Sequence, residues 1–304
     1  MQVVWELAYR GGYPRRSTFL DSREGLSVMK LGLAPLTLFR PPPLDLVRYA
    51  GEAGYDAVGF QLGLQDMPVS PLADDAQFLM EAKELLERWN LAVMEVSNIV
   101  FEPDRTFDEG RVLIDFAKQI GASIVQATVW DAEHDRVVER LVALADYAKS
   151  LDLGITIEYM PYSQCRSFDE AYSLVKASGR PNVHVLLDTL HFSRSGGVLA
   201  DLDRKEASSY SFIQLCDAKS IVPALEDLRF ESVYDRLPLG EGALELGAIL
   251  EKVPTDLPVS LEIPCQRLKD LPLVEQAQEH LRIAREFLVP YASRWELATG
   301  TISQ

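Results

Sequence analysis

Apolar positions along the chain fall into two alternating kinds of segment. Short runs of aliphatic and β-branched residues lie at 30–35, 57–61, 92–97, 123–128, 154–158, 182–188, 211–216 and 258–262. Between them run longer stretches with apolar residues at three- and four-residue spacing. These lie at 44–53, 73–89, 107–120, 133–151, 168–177, 201–208, 244–252 and from 273 to about 289. The first kind predicts strands and the second amphipathic helices. Ile155-Thr156-Ile157 and Val185-Leu186-Leu187 are continuous apolar-type runs rather than alternating ones, as parallel strands covered on both faces require. Ser167 followed by Glu170 predicts a capping box that opens the fifth helix.

Strand–helix alternation repeated through the chain implies parallel strands joined by crossover helices. Eight such units in about 260 residues predict a single (β/α)8 TIM barrel, a closed eight-stranded parallel sheet. A doubly wound open sheet competes with this reading. It would place a Gly-rich phosphate turn after its first strand, and Ala34-Pro35-Leu36-Thr37 is not one. The barrel is expected over 29–292, followed by a tail at 293–304. Residues 1–28 carry mixed charge, paired glycines and no sustained period. They are expected to be an extension, docked as a short arm or set by a start codon upstream of a true start at Met29. The longest connection without a helical pattern, 217–242, follows the seventh strand. In a barrel it belongs to the C-terminal face, where active sites sit.

Composition acts mainly by exclusion. The 304 residues carry a net charge of −16, which repels phosphate backbones and anionic membrane surfaces. A nucleic-acid partner and a membrane seat are therefore not expected. Cys165, Cys216 and Cys265 are odd in number and none forms a CxxC pair, so a reduced, cytoplasmic chain is the natural reading. No apolar run reaches the ~18 residues of a transmembrane helix, and the N-terminal stretch lacks the apolar core of a signal peptide.

Several strands end in a lone polar residue. Ile157 is followed by Glu158, Leu187 by Asp188, and Leu261 by Glu262, while Gln214 lies near the end of the seventh run. The last inward residue of a barrel strand points into the mouth, so strands five to eight would aim Glu158, Asp188, Gln214 and Glu262 at one volume. Three carboxylates so close raise one another's pKa unless a cation neutralises them. A divalent metal is the simplest partner, and an all-oxygen donor set favours Mn²⁺ or Mg²⁺ over zinc. Each carboxylate alone reads equally as a surface charge or a helix cap. Arg236, in the long loop before Pro238-Leu239-Gly240-Glu241-Gly242, suits planar recognition of an anion. Arg194 is a second candidate of the same kind, and Asp217 could orient a ligand or bind a substrate hydroxyl. His184 at a strand start reads as structural, and His280 on the last helix is expected to be exposed.

The segments IEYMP (157–161), LLDTLHF (186–192), FIQLCDA (212–218), RLPLGEG (236–242) and VSLEIP (259–264), in this order and strand context, resemble the xylose isomerase-like TIM barrels. That group also holds ketose 3-epimerases and 3-dehydroshikimate dehydratases, and the resemblance covers about residues 29–290. It implies that Glu158, Asp188, Gln214 and Glu262 hold one divalent metal, Mn²⁺ first, with Mg²⁺ or Co²⁺ as alternatives. Many members have His where Gln214 stands, while some dehydratase-like members carry Gln. The resemblance makes His191 a substrate-contacting or proton-transferring residue, beside its other reading as a donor to a ligand carboxylate.

The leading expectation is an isomerase or epimerase of a sugar or related polyhydroxy carbonyl compound. It would act through an enediolate, with Glu158 and Glu262 as base and acid. A dehydroshikimate-type lyase on the same site is the second reading, and a non-catalytic sugar-binding barrel the third. The partner is a small molecule, and a homo-oligomer is compatible with the chain.

Overall fold

Eight strands close on themselves in chain order. They are β1 (Leu31–Leu33), β2 (Ala57–Gln61), β3 (Ala92–Phe101), β4 (Ile124–Val129), β5 (Gly154–Glu158), β6 (Val183–Asp188), β7 (Tyr210–Leu215) and β8 (Val259–Leu261). Every neighbouring pair is parallel, and β8 closes the barrel on β1 through Leu31↔Val259 and Leu33↔Leu261. This computed structural model describes residues 30–203, 206, 209–255 and 257–291. The segments read above as an extension and a tail lie outside the described residues, as does part of the 201–208 stretch.

The helices are α1 (Pro43–Ala53), α2 (Ala76–Trp89), α3 (Phe107–Ile120), α4 (His134–Ser150), α5 (Phe168–Ser178), α6 (Thr189–Arg194), α7 (Leu199–Asp203), α8 (Leu225–Tyr234), α9 (Leu246–Lys252) and α10 (Leu273–Leu288). Local chemistry sets their ends. Asp75 accepts from the N–H groups of Gln77 and Phe78, so α2 starts at residue 76 and not at 73, where a 3-10 turn lies. Thr106 and Glu109 form a complete capping box on α3. At α5 only half of the expected box forms: Ser167 accepts from Glu170 N–H, while Glu170 Oε2 takes the N–H of Arg166 instead. Gly54, Gly121 and Gly179 end their helices in the left-handed conformation that glycine adopts without strain.

Two elements depart from the sequence pattern. The 217–242 connection contains α8, whose Leu225, Phe230 and Tyr234 are exposed; without one apolar stripe it shows no helical period. The short α6 follows β6 directly because Asp188 caps it, accepting from His191 N–H at 3.0 Å. His280 is also buried, not exposed as expected: it faces inward on α10. No helix among the described residues is long and apolar enough to cross a membrane.

The main core fills the space between barrel and helices. A second cluster of Ala57, Met94, Ile124, Leu186 and Phe212, contributed by five different strands, plugs the barrel itself. Leu186 and Phe212 stand two residues before Asp188 and Gln214. The period of two along a strand therefore puts a polar layer directly above the apolar plug. That layer is where the site begins.

Candidate active site

The polar layer opens into a cavity of about 520 Å³ at the C-terminal end of the barrel, lined by Glu95, Gln126, Glu158, His191, Gln214, Arg236 and Glu262 among others. Glu158 ends β5, Asp188 ends β6, Gln214 lies in register beside Asp188 on β7, and Glu262 follows β8. The structure thus brings together the four residues that the strand ends nominated. Donor atoms of Glu158, Asp188 and His191 lie within 4.8 Å of one another. His191 Nε2 stands 3.8 Å from Glu158 Oε1 and 3.4 Å from Ser232 Oγ. The cluster therefore includes a nitrogen that the all-oxygen reading left out.

Arg236 sits inside this cluster. Its guanidinium is buried and donates to Asp188 Oδ2 at 2.6 Å and to the Ser232 carbonyl at 2.8 Å, with Glu262 Oε2 at 2.9 Å. It neutralises the carboxylates from one side, and its donors are turned to the protein. The remaining polar contacts are few. Gln126 donates to Glu158 Oε2 at 2.7 Å, and Gln214 Nε2 reaches Glu262 Oε1 at 3.4 Å.

Burial governs the protonation of this group. It pushes Glu158 well above the usual carboxylate range, helped by the charges of Glu262 and Asp188. It also raises Glu262 to about 7 against the pull of Arg236. Asp188 is the exception. Burial works against its charge, but Arg236 and His191 together hold it below the ordinary value. Burial lowers His191 to about 4, so its imidazole is neutral near pH 7.

Two predicted substrate residues lie elsewhere. Asp217 is buried and accepts four backbone N–H groups, from Ala218, Gly240, Gly242 and Leu244, at 2.8–3.0 Å. Three of these bonds fold the 236–244 segment and the fourth goes to its neighbour Ala218, so Asp217 orients the loop that carries Arg236, with both oxygens already taken. A side chain at Gly242 would strike Asp217 Oδ1, which explains the glycine. Arg194 is bidentate to Glu231 at 2.6 and 2.7 Å and donates to the Lys219 carbonyl, away from the mouth. Besides Arg236, the mouth is lined by two further cations, Arg40, bonded to Gln61 at 2.5 Å, and Arg229, over the Trp130 ring. Sequence reasoning missed both, because each comes from a segment with no motif of its own.

A divalent cation fits the donor set. Gln214 Oε1 is buried and accepts no hydrogen bond among the described residues, an arrangement that costs stability unless a ligand takes it up. The carboxylates of Glu158 and Glu262, held up by burial and mutual repulsion, are the groups a cation would discharge.

Residues 47–287 match the family described as xylose isomerase-like TIM barrel. The inosose isomerase of Bacillus licheniformis is 26% identical over 160 residues, 52% of this chain and 55% of that protein. The chain thus spans about half the length, or less, of the curated relatives it matches. The solved structure of the IolI protein with a bound zinc atom superposes with a TM-score of 0.70 at 22% identity, covering 88% of this chain and 99% of that one. The structure given as the probable 3-DHS dehydratase AsbF of Bacillus anthracis does so at 0.67 and 17%, covering 82% and 98%. At these identities the likeness shows the fold.

Proposed function

Because the chain belongs to the xylose isomerase-like TIM barrel family, we propose that it is a divalent-metal-dependent isomerase or epimerase of a sugar or related polyhydroxy carbonyl compound. The observation that carries this reading is the convergence of Glu158, Gln214 and Glu262 on one mouth, with Asp188 in register beside Gln214 and within 4.8 Å of Glu158, and with Gln214 Oε1 unpartnered among the described residues. Glu158, Asp188, Gln214 and Glu262 would hold the cation, Mn²⁺ by preference of the oxygen donors, with His191 as an added nitrogen donor or a contact to substrate. Bound there, such a cation would supply Lewis-acid stabilisation of the negative charge that develops on substrate oxygens when a C–H proton leaves.

The protein's own groups do the rest. Glu158, from β5, and Glu262, from the end of β8, approach the mouth from well-separated strands. Each can take or return a proton at substrate carbon, and such transfer is worth roughly 10²–10⁴-fold. Arg236 holds Asp188 and Glu262 in place through paired, charge-assisted bonds. Gln126 fixes the Glu158 carboxylate so that Oε1 faces His191. The closed barrel floor of Met94, Ile124, Leu186 and Phe212 keeps bulk water out from below. The similarity to an inosose isomerase supports a cyclic polyol ketone as first substrate to try.

A dehydratase reading keeps one specific support, the amide at Gln214 together with the mouth cations Arg40 and Arg229, which suit a carboxylate-bearing substrate. One experiment separates the two. Chelated protein is reloaded with Mn²⁺ and given inosose, D-allulose or 3-dehydroshikimate. Metal-dependent interconversion by NMR is the expected result. Growth of aromatic ultraviolet absorbance from dehydroshikimate selects the lyase, and no turnover of any of the three overturns both.

A further inference from the structure

The barrel interior holds one acidic side chain that neither the strand-end pattern nor the proposed metal set uses. Glu95 lies in the middle of β3 and is 1% exposed. Strict alternation would put Glu95 outside, because Met94 before it belongs to the barrel plug. A bulge overrides the alternation. Between paired positions, β2 advances from Val58 to Phe60 while β3 advances from Val93 to Val96, so β3 carries one extra residue there. Two residues then oppose Gly59, and both Met94 and Glu95 reach the interior.

Gly59 completes the device. A methyl group at that position would collide with Glu95 Oε1 and stand 2.8 Å from its Cδ. The missing side chain is thus the space the carboxyl occupies. Glu95 Oε2 is buried and has no hydrogen-bond partner among the described residues, although the carboxyl lines the mouth cavity shared with Glu158, Gln214 and Glu262. A buried carboxyl with an idle oxygen is a stability cost, and a bulge that aims it into a ligand cavity is a built feature.

We propose that Glu95 is a substrate-binding, specificity-determining residue, its carboxyl hydrogen-bonding a hydroxyl of the polyhydroxy substrate from the β2–β3 side of the mouth. This rests on the isomerase or epimerase reading above and adds the wall that selects the substrate. Burial, reinforced by the charge of Glu262, pushes Glu95 up to about 8. A carboxyl facing a neutral hydroxyl donates through its O–H when protonated and accepts through its other oxygen, so the geometry of Gly59 and the bulge suits either form.

The test uses the full-length, Mn²⁺-loaded protein and the variants Glu95→Met, Glu95→Gln and Glu158→Gln. Glu95→Met keeps the volume and removes the polar group, so Tm is expected to rise by a few degrees. With inosose, KM is expected to rise about 10–100-fold with kcat changed far less, as loss of one buried hydrogen bond to bound substrate implies. Glu95→Gln, which still donates and accepts, should recover most of that KM. A structural role predicts the reverse, a fall in Tm and no KM effect, and either result overturns the proposal. Turnover surviving in Glu158→Gln would instead remove the parent reading. If wild type turns over no substrate, protection of Tm by myo-inositol decides. Protection of wild type but not of Glu95→Met supports the proposal, and equal or absent protection overturns it.

Discussion

Replacing Arg236 by Met removes the one cation fully buried among the site carboxylates in the described residues while keeping much of the aliphatic volume. In the wild type, Asp188 Oδ2 and Glu262 Oε2 lie 2.6 and 2.9 Å from its guanidinium, and both side chains are almost wholly covered. Breaking a buried pair from one side leaves an uncompensated charge and costs about 3–5 kcal/mol. For a chain of this size, at roughly 2–4 °C per kcal/mol, Tm in EDTA should fall by roughly 10 °C. A divalent cation restores positive charge at the same carboxylates. Saturating Mn²⁺ should therefore raise Tm more in Arg236→Met than in wild type, where a metal at 100 times its Kd contributes about 2.7 kcal/mol. Differential scanning calorimetry of both proteins, with EDTA and with Mn²⁺, measures all four values. A Tm in EDTA within 2 °C of wild type, or equal metal gains in the two proteins, would refute the charge-compensation argument.

Asp217→Ala strands the N–H groups of Ala218, Gly240, Gly242 and Leu244, of which only Ala218 is a fully buried residue, and should cost about 2–4 kcal/mol in urea unfolding; it should lower kcat as Arg236 loses its platform, whereas unchanged stability would return Asp217 to the list of substrate contacts. His280 is buried with neither ring nitrogen bonded among the described residues, and burial lowers it to about 4. Between about 4 and the unfolded value near 6.5, the unfolded chain binds the extra proton. Stability therefore rises with pH across that window, and His280 accounts for about 3 kcal/mol of the change. His280→Leu should flatten this part of the profile; stability curves of wild type and variant that run parallel from pH 4 to 7 would show that the ring is not neutral in the folded state.

The barrel was legible because its two periods are long-range averages. Strand runs at 57–61 and 154–158 and the helix at 107–120 coincide with the observed elements, since apolar faces there are unbroken. The strand-end residues Glu158, Asp188, Gln214 and Glu262 stood out together, because each alone reads as a cap or surface charge while four at corresponding positions on consecutive strands do not, and closure of the sheet brings them to one end of the barrel. Pairing between distant loops left no such trace. Asp217 and Arg194 carry the right chemistry for a substrate, yet the chain spends them on backbone N–H groups and on Glu231. Glu95 was invisible for a different reason. A one-residue bulge reverses the face assignment of everything beyond it, and only the paired register of β2 and β3 reveals it.

The central claim is that Glu158 and Glu262 both bind the metal and move protons. Its most direct test is Glu158→Gln, Glu262→Gln and the double variant, each assayed for bound Mn²⁺, turnover and exchange of substrate C–H with deuterated water. An amide oxygen still coordinates but cannot accept the proton, so each single variant should retain metal and lose at least ~10²-fold in kcat. The double variant should be hardly worse than either single, because groups acting as one unit are non-additive. Near-normal turnover in either single variant, with metal bound, would contradict the account.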